Sequence, residues 1–476
     1  MAVETFLWKR RERPSEFIET AKRIVGDDNV SERECDLISY STDYWLYAIF
    51  LSQQGKLPSL PCAVISPRNS EEIQAVLKCA NEYRVEVTPF GAGSGVLGGA
   101  IPGGGSAVLN LQRMSSFISL DETSLVARFE AGIIGANLER ELNHRGYSMG
   151  NIPQSLYCST LGGWIATRAV GQFSTKYGKT EDMVMGMEVV LPDGSLLSIK
   201  PVPRRSTGPA LKELFLGSEG TLGVVTRATV SVHPLPKATD KQSWVCESIE
   251  TALDVVRRVL RTDVKPAVVR IFDEAESERY FDEIGSKVTV IFICEGEPDL
   301  VALEKSVVKR IAEESGGQPA GENPVDIWLE KRFDIGLGPV LMQHGGIVDT
   351  IEVVSLFKDA AKLYDDMVAS MKAVEGAVAI SGHYSHFYRE AACLYITFAG
   401  FPKDPLQYYQ DTWTAAMEAT LRNNGSISHH HGIGYWRRQY MEQEHGASGV
   451  DVLRRIKRAL DPNGIMNRGK LIEDGG

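Results

Sequence analysis

Two hydrophobic textures divide the chain. In the first half, short apolar runs alternate with amphipathic segments. "CAVISP" (62–67) and "VEVTPF" (85–90) read as strands. Between them Ile73, Val76, Leu77 and Ala80 share one helical face behind the cap candidates Asn69 and Ser70, which makes a βαβ unit. "AVLNL" and "LVARFEAG" predict further strands, and "GANLERELNHRG" (135–146) a helix stopped by Gly146. "MEVVLPDGSLLSIK" (187–200) predicts a hairpin turning on Pro192, Asp193 and Gly194, and "GVVTRATVSVHPLP" (223–236) one long alternating strand ended by prolines. After Pro236 the helices lengthen. "ESIETALDVVRRVLRT" and "PDLVALEKSVVKRIAEESG" alternate with the strands "AVVRIFD" and "KVTVIFICEG", and "GAVAISGHYSHFY" turns at Arg389 and Glu390 into "AACLYITFAG". This half predicts an antiparallel sheet with helices on one side, an α+β domain beginning near residue 237.

The chain has 476 residues, long enough for two or three domains with real cores. Its net charge of −11 argues against nucleic acid, so an anionic substrate must be drawn in by local Arg, Lys or His. The apolar stretch Tyr44–Leu51 reads as a buried helix or strand, with a peripheral membrane contact as the alternative. No stretch is long and apolar enough to span a bilayer, and neither end carries a targeting signal, so a cytoplasmic location is expected. Seven cysteines, an odd number without any C-x-x-C pair, read as reduced core thiols.

Glycine is densest in "PFGAGSGVLGGAIPGGG" (89–105). Gly93, Gly95 and Gly98 match G-x-G-x-x-G, but Pro102 and Gly103–Gly105 follow where a dinucleotide-binding helix would have to start, so the match is a decoy. What remains is a strand leading into a loop almost without side chains, able to curl its N–H groups around phosphate oxygens. "NIPQSLYCSTLGGWIATRAVG" (151–171) and "LFLGSEGTLGVVT" (214–226) are two more Gly/Ser/Thr-rich loops. An extended dinucleotide between two subdomains would need about that many.

These stretches, together with "RRSTGPALKELFLGSEGTLGVVTRATV" and "SHHHGIG", resemble the FAD-dependent family of vanillyl-alcohol-oxidase (PCMH-type) fold, and within it the alkyl-dihydroxyacetonephosphate synthase branch. The resemblance implies an α+β protein: an N-terminal helical extension (1–58), a two-subdomain FAD-binding module (59–237), an antiparallel-sheet-and-helix cap domain (238–424), and a C-terminal segment (425–476) returning to the flavin. By the same likeness Pro89, Phe90, Gly91, Ala92, Gly93, Ser94 and Gly95 would hold the FAD pyrophosphate. Pro153, Gln154, Ser159, Thr160, Gly162, Gly163, Thr167, Arg168, Ala169 and Val170 would line the cofactor, and Glu219, Gly220, Thr221, Leu222, Gly223 and Val225 would complete the site. No histidine lies in the glycine loop and Cys158 is not at a tether position, so the FAD is expected to be non-covalent.

The triplet His429, His430, His431 is the other concentration of chemistry. On an extended strand His429 and His431 would share one face and His430 the other. A metal is not expected, because no third ligand lies nearby along the chain. Three adjacent imidazoles are also costly to bury for structure alone. Proton and anion handling fits best, with Gly432 and Gly434 allowing close approach. The synthase branch carries this triplet at its active site, and matches Tyr395 as its acid/base and Arg270 as a substrate contact. In the branch a further arginine precedes the strand matching "GGIVDTIEVV"; here "KRFDIGLGPVLMQHGG" (331–346) aligns none, which leaves Arg332 or His344 to replace it.

The resemblance implies exchange of acyl for alkyl on a glycerone phosphate, an ether-lipid chemistry without net redox change at the flavin. The alternatives are an FAD-dependent 2-hydroxy-acid (D-lactate or glycolate type) or alcohol dehydrogenase, and a flavin-binding subunit of a larger redox complex. The expected partner is a small anionic or lipid-like substrate, with a second copy of the chain as a further alternative.

Overall fold

The computed structural model describes residues 4–7, 14–334 and 337–473. Both extreme ends, and two residues of the segment that lacks the family arginine, lie outside these. The first sheet is built on α1 (Ser15–Val25), β1 (Val30–Ser31), α2 (Leu46–Gln53), β2 (Ala63–Ile65), α3 (Ser70–Tyr83), β3 (Val87–Phe90) and β4 (Ala107–Asn110), in strand order β1-β2-β4-β3. The expected βαβ unit forms, with Asn69 capping α3 through its side chain, but β4 lies between its two parallel strands. β1 pairs with β2, so the segment before residue 59 contributes a strand to this sheet and is not a wholly helical extension. α2 lies over the apolar stretch read as a buried helix: Trp45 and Ala48 are fully buried.

The second sheet comprises β5 (Phe117–Asp121), β6 (Val126–Glu130), β7 (Val184–Val190), β8 (Leu196–Ile199) and β9 (Val224–Ser231), in the order β8-β7-β9-β6-β5. α4 (Gly135–Asn143) and α5 (Leu161–Thr167) pack beside it. β9 alternates buried and half-buried positions as its sequence requires, and it ends before the first proline.

The third sheet is antiparallel throughout. It is formed by β10 (Ala238–Cys246), β11 (Val268–Phe272), β12 (Val288–Gly296), β13 (Gln318–Gly321), β14 (Ile347–Leu356), β15 (Ala377–Ser385) and β16 (Ala391–Gly400), in the order β13-β10-β12-β11-β15-β16-β14. Its helices include α6 (Ile249–Leu260), α7 (Glu274–Tyr280), α8 (Pro298–Glu314), α9 (Asn323–Lys331), α10 (Phe357–Lys372) and α11 (Pro405–Arg422). Along β16, Leu394, Ile396 and Phe398 are fully buried in the largest apolar cluster, together with residues of α6, α10 and α11. Alternation therefore turns Cys393, Tyr395 and Thr397 to the opposite face.

After α11 the chain returns to the first half. Ser426 bridges to Val354 of β14. Beyond α12 (Met441–Leu460), Met466 bridges in parallel to Val87 and is fully buried in the core around β2, β3 and β4. Among the described residues no helix is long and apolar enough to cross a membrane. Among the described residues no cysteine is joined in a disulfide; Cys79, Cys246, Cys294 and Cys393 are buried, but Cys35 and Cys158 are exposed, so the expectation of core thiols holds only in part.

Candidate active site

Three glycine-rich loops meet. Glu219 N donates to Ala166 O (2.9 Å) and Gly217 N to Ile165 O (2.9 Å), which joins the loop before β9 to α5. Arg168 Nε reinforces the joint by donating to Leu216 O (3.1 Å). Gly91 faces Thr160 so closely that a Cβ there would lie 2.4 Å from the threonine Oγ1, which itself accepts from Gly163 N (3.1 Å). Gly91, Ala92, Gly93, Ser94 and Gly95 are half-buried, and their N–H groups donate to no described protein group. A diphosphate fits such a row of free donors. Other expected lining residues serve the fold: the Ser159 hydroxyl accepts from Trp164 Nε1 (2.7 Å), Thr167 Oγ1 donates to Gly163 O (3.1 Å), Val170 is buried, and Gln154 is exposed.

Glu219 ties this nest to the C-terminal loop. Its carboxylate accepts from Ile433 N (2.7 Å) and Gly434 N (2.8 Å). Gly432, at φ +84°, passes so near that a Cβ would lie 2.7 Å from Oε1 of Glu219. Burial pushes Glu219 and the neighbouring Asp43 up to about 7, and pushes Lys470, whose charge acts on both, down to about 8.

The site's floor is the free face of the third sheet. The register sets His383 opposite Tyr395 and Tyr395 opposite Glu352, one row across β15, β16 and β14. Cross-strand partners point to the same side. The imidazole of His383 stacks on the Tyr395 ring (4.8 Å, 13°) and pairs with Glu276 of α7 (3.0 Å). The Tyr395 hydroxyl bonds to Thr350 Oγ1 (3.2 Å) and to His431 Nε2 (3.1 Å).

The histidine loop is not the extended strand that the triplet suggests. Glu352 accepts from His429 N (2.5 Å) and His431 N (2.9 Å), and this bends the chain over β14. Arg437, fully buried, donates to Oε1 of Glu352 (2.7 Å) and to its carbonyl (2.9 Å). Burial alone would raise the Glu352 carboxyl, but the Arg437 charge overrides it and holds the group at about 2. The bend brings all three imidazoles together. His429 Nδ1 meets His430 Nδ1 (2.9 Å), and His429 Nε2 meets the Tyr388 hydroxyl (2.7 Å). Nδ1 of His431, buried without a hydrogen bond, lies 3.7 Å from the Glu352 carboxylate.

Burial holds His431 at about 4; burial, then the Arg270 charge, does the same for His383. Both are therefore neutral at pH 7. Their folded-state values lie below the ordinary 6.5, so the unfolded chain binds more protons between pH 6.5 and 4. Stability is at its full value above that window and falls as pH drops through it, by up to about 3 kcal/mol for each histidine. His383→Asn should flatten this acid limb in thermal melts recorded from pH 7.5 to pH 4; an unchanged slope would contradict the assignment.

Arg270 and Arg332 converge on Trp328 of α9, with guanidinium carbons 5.5 and 5.8 Å from the indole. Nε of each is buried without a hydrogen-bond partner. Burial lowers both below the ordinary guanidinium range. His344, the other substitute for the missing arginine, is exposed. Sequence reasoning missed Glu352, Arg437, His383, Glu276 and Tyr388. The one local signal was a charged Glu352 among the apolar residues of β14.

Comparison with known proteins finds matches to two families. Residues 61–200 match the FAD binding domain family, and residues 235–471 the C-terminal domain of FAD linked oxidases. The chain belongs to the FAD-linked oxidase family. FAD is its cofactor. This family member is 31% identical over 494 residues to the alkyldihydroxyacetonephosphate synthase of Trypanosoma brucei brucei, covering 96% of this chain and 80% of that protein. It is 27% identical over 468 residues to the glycolate oxidase subunit GlcD of Bacillus subtilis (strain 168), covering 94% and 95%. A solved alkyldihydroxyacetonephosphate synthase structure superposes with a TM-score of 0.83 at 25% identity, covering 97% of this chain and 87% of that one. The PCMH-type fold and the α+β class expected from sequence both hold.

Proposed function

We propose that this flavoenzyme exchanges the acyl group of an acylated glycerone phosphate for an alkyl group, the chemistry that the resemblance to the alkyldihydroxyacetonephosphate synthase branch implies. The observation that carries the reading is the Tyr395–His431–Glu352 arrangement: a phenol bonded to an imidazole whose other nitrogen faces a carboxylate. The 31% identity to the trypanosomal synthase supports it.

Bound FAD supplies the covalent chemistry. The chain's own groups bind and move protons. Burial raises the Tyr395 phenol above its ordinary range, so it rests protonated. The entering alcohol passes its proton to the Tyr395 oxygen while the phenol passes its own to His431 Nε2, and the imidazolium so formed is stabilised by Glu352. When the leaving oxygen needs a proton, the relay runs in reverse and the imidazole returns to its neutral form. Arg270 and Arg332, each with a free Nε, bind the phosphate and fill the role of the missing family arginine. The loop residues 89–95, 153–170 and 219–225 hold the FAD without a covalent bond, and the enzyme works in the cytoplasm.

The test is direct. Acyl-glycerone phosphate with a fatty alcohol should yield the alkyl product and free fatty acid while the flavin spectrum stays oxidised. Anaerobic D-lactate or glycolate should leave the colour unchanged. Bleaching by a hydroxy acid with no acyl–alkyl exchange would overturn the reading in favour of a dehydrogenase, the class to which the likeness to GlcD points. In that case Arg270 and Arg332 would clamp a carboxylate, and a stable co-purifying protein would mark a redox-complex subunit.

A further inference from the structure

The glycine loop that follows β3 changes character along its length. Over residues 91–95 the N–H groups donate to no described protein group. Over residues 95–101 the backbone is gripped from outside. Tyr44 N donates to Gly95 O (2.8 Å), Tyr435 N and Trp436 N both donate to Leu97 O (2.9 and 3.2 Å), and Asp43 Oδ2 accepts from Ala100 N (3.2 Å). Two C-terminal side chains complete the grip: Asn467 Nδ2 donates to Gly99 O (2.9 Å) and Lys470 Nζ to Ile101 O (2.8 Å), from 368 and 369 residues further along the chain. We propose that Asn467 and Lys470 are positioning residues for the cofactor: by fixing the second half of the glycine loop they hold its first half in the shape that receives the FAD diphosphate. Docking of the C-terminal segment and binding of FAD then strengthen each other. This coupling rests on the reading that residues 89–95 hold FAD.

Five of the nine residues 91–99 are glycine, so the loop has few side chains with which to pack itself. Glycine loses more conformational freedom on ordering than any other residue. A loop ordered beforehand spares FAD that cost, whereas a loose one takes it from the binding free energy. Asn467 and Lys470 reach the loop at residues 99 and 101, past the row of free donors, and so act on the cofactor through the loop.

Each residue type suits its duty. Asn467 stands at φ +38°, in a left-handed conformation that asparagine tolerates better than most side chains. Its amide donates to Glu219 O (2.6 Å) as well as to Gly99 O, so one side chain joins two of the three glycine-rich loops. Its own N–H donates to Val87 O (2.9 Å), which anchors it on β3, where the loop begins. Lys470 is buried, and lysine is almost never buried unless paired. Here the charges of Asp43 and Glu219 both act on it. Without that ammonium, two buried carboxylates would stand near the place of a diphosphate and repel it.

The test dialyses the full chain against graded FAD, from saturation to none. Asn467→Gly keeps the left-handed backbone open and removes only the amide. It should raise the Kd for FAD at least about 10-fold, the size expected from two lost hydrogen bonds, and Lys470→Met should do the same. Val290→Ala, a cavity in the core of the third sheet, should lower Tm and leave that Kd unchanged. Hydrogen exchange gives the second reading. Without FAD, Asn467→Gly should speed exchange over residues 96–101, and saturating FAD should restore the parent pattern. In the parent, FAD should slow exchange over residues 465–471 as well as 89–95, because coupling is reciprocal. An unchanged Kd in Asn467→Gly, or an equal rise in Val290→Ala, would overturn the positioning role. If FAD protects residues 89–95 of the parent but not 465–471, the coupling fails and the reading of the loop stands; if it protects neither, both fail. Should Lys470→Met not fold, Asn467→Gly decides alone.

Discussion

Tyr395→Phe should lower turnover by at least about 100-fold while FAD stays bound, as expected when a positioned acid/base is deleted. The substitution removes one oxygen from the centre of a packed row. The ring keeps its stack on His383 and its place between β15 and β14, so fold and flavin content should not change. What disappears is the hydroxyl that joins Thr350 and His431. Steady-state turnover and the visible flavin spectrum, measured on the same sample, separate the two effects. Activity within a few-fold of the parent would remove Tyr395 from the chemistry.

Glu352→Ala should cost about 3–5 kcal/mol of stability, because it leaves Arg437 as an uncompensated charge in a dry interior. Few side chains in the protein carry so many duties. The carboxylate neutralises Arg437, accepts two backbone N–H groups of the histidine loop, takes a bond from the Ser428 hydroxyl and faces His431. Removing it releases the bend that gathers the imidazoles, so turnover should fall with stability. The double variant Glu352→Leu with Arg437→Met should recover a large part of the stability and none of the turnover. That divergence, read from denaturant midpoints and rates, distinguishes a buried ion pair that positions catalytic groups from one that only supports the fold. Equal recovery of both would contradict the positioning role.

The parts of the site that could be read from sequence are those encoded locally. The glycine loop, the strand periodicities and the histidine triplet each sit in a short stretch whose residue types limit what it can do, whereas Tyr395, a lone tyrosine in an apolar strand, stood out only through the family likeness. Glu352 and Arg437 are 85 residues apart, and their pairing depends on the path by which the chain leaves α11 and crosses β14. No window of sequence contains that path. Cys393 looked like one more core thiol in an apolar strand; only the phase of β16, with Leu394 and Ile396 in the core, shows that it faces the imidazoles. The triplet misled in the opposite way. Its spacing suggested alternating faces, and a carboxylate from another strand folded it into a cluster.

The return of the C-terminal segment has a consequence for biogenesis. Val87 N donates to Ile465 O (2.7 Å) and Asn467 N to Val87 O (2.9 Å), so the outer edge of β3 is closed by residues made long after it. The first sheet therefore cannot be finished until residues 465–467 have left the ribosome. Domains ordinarily mature in the order of synthesis; here an early-made portion must wait, with an open strand edge, until the chain has returned to it.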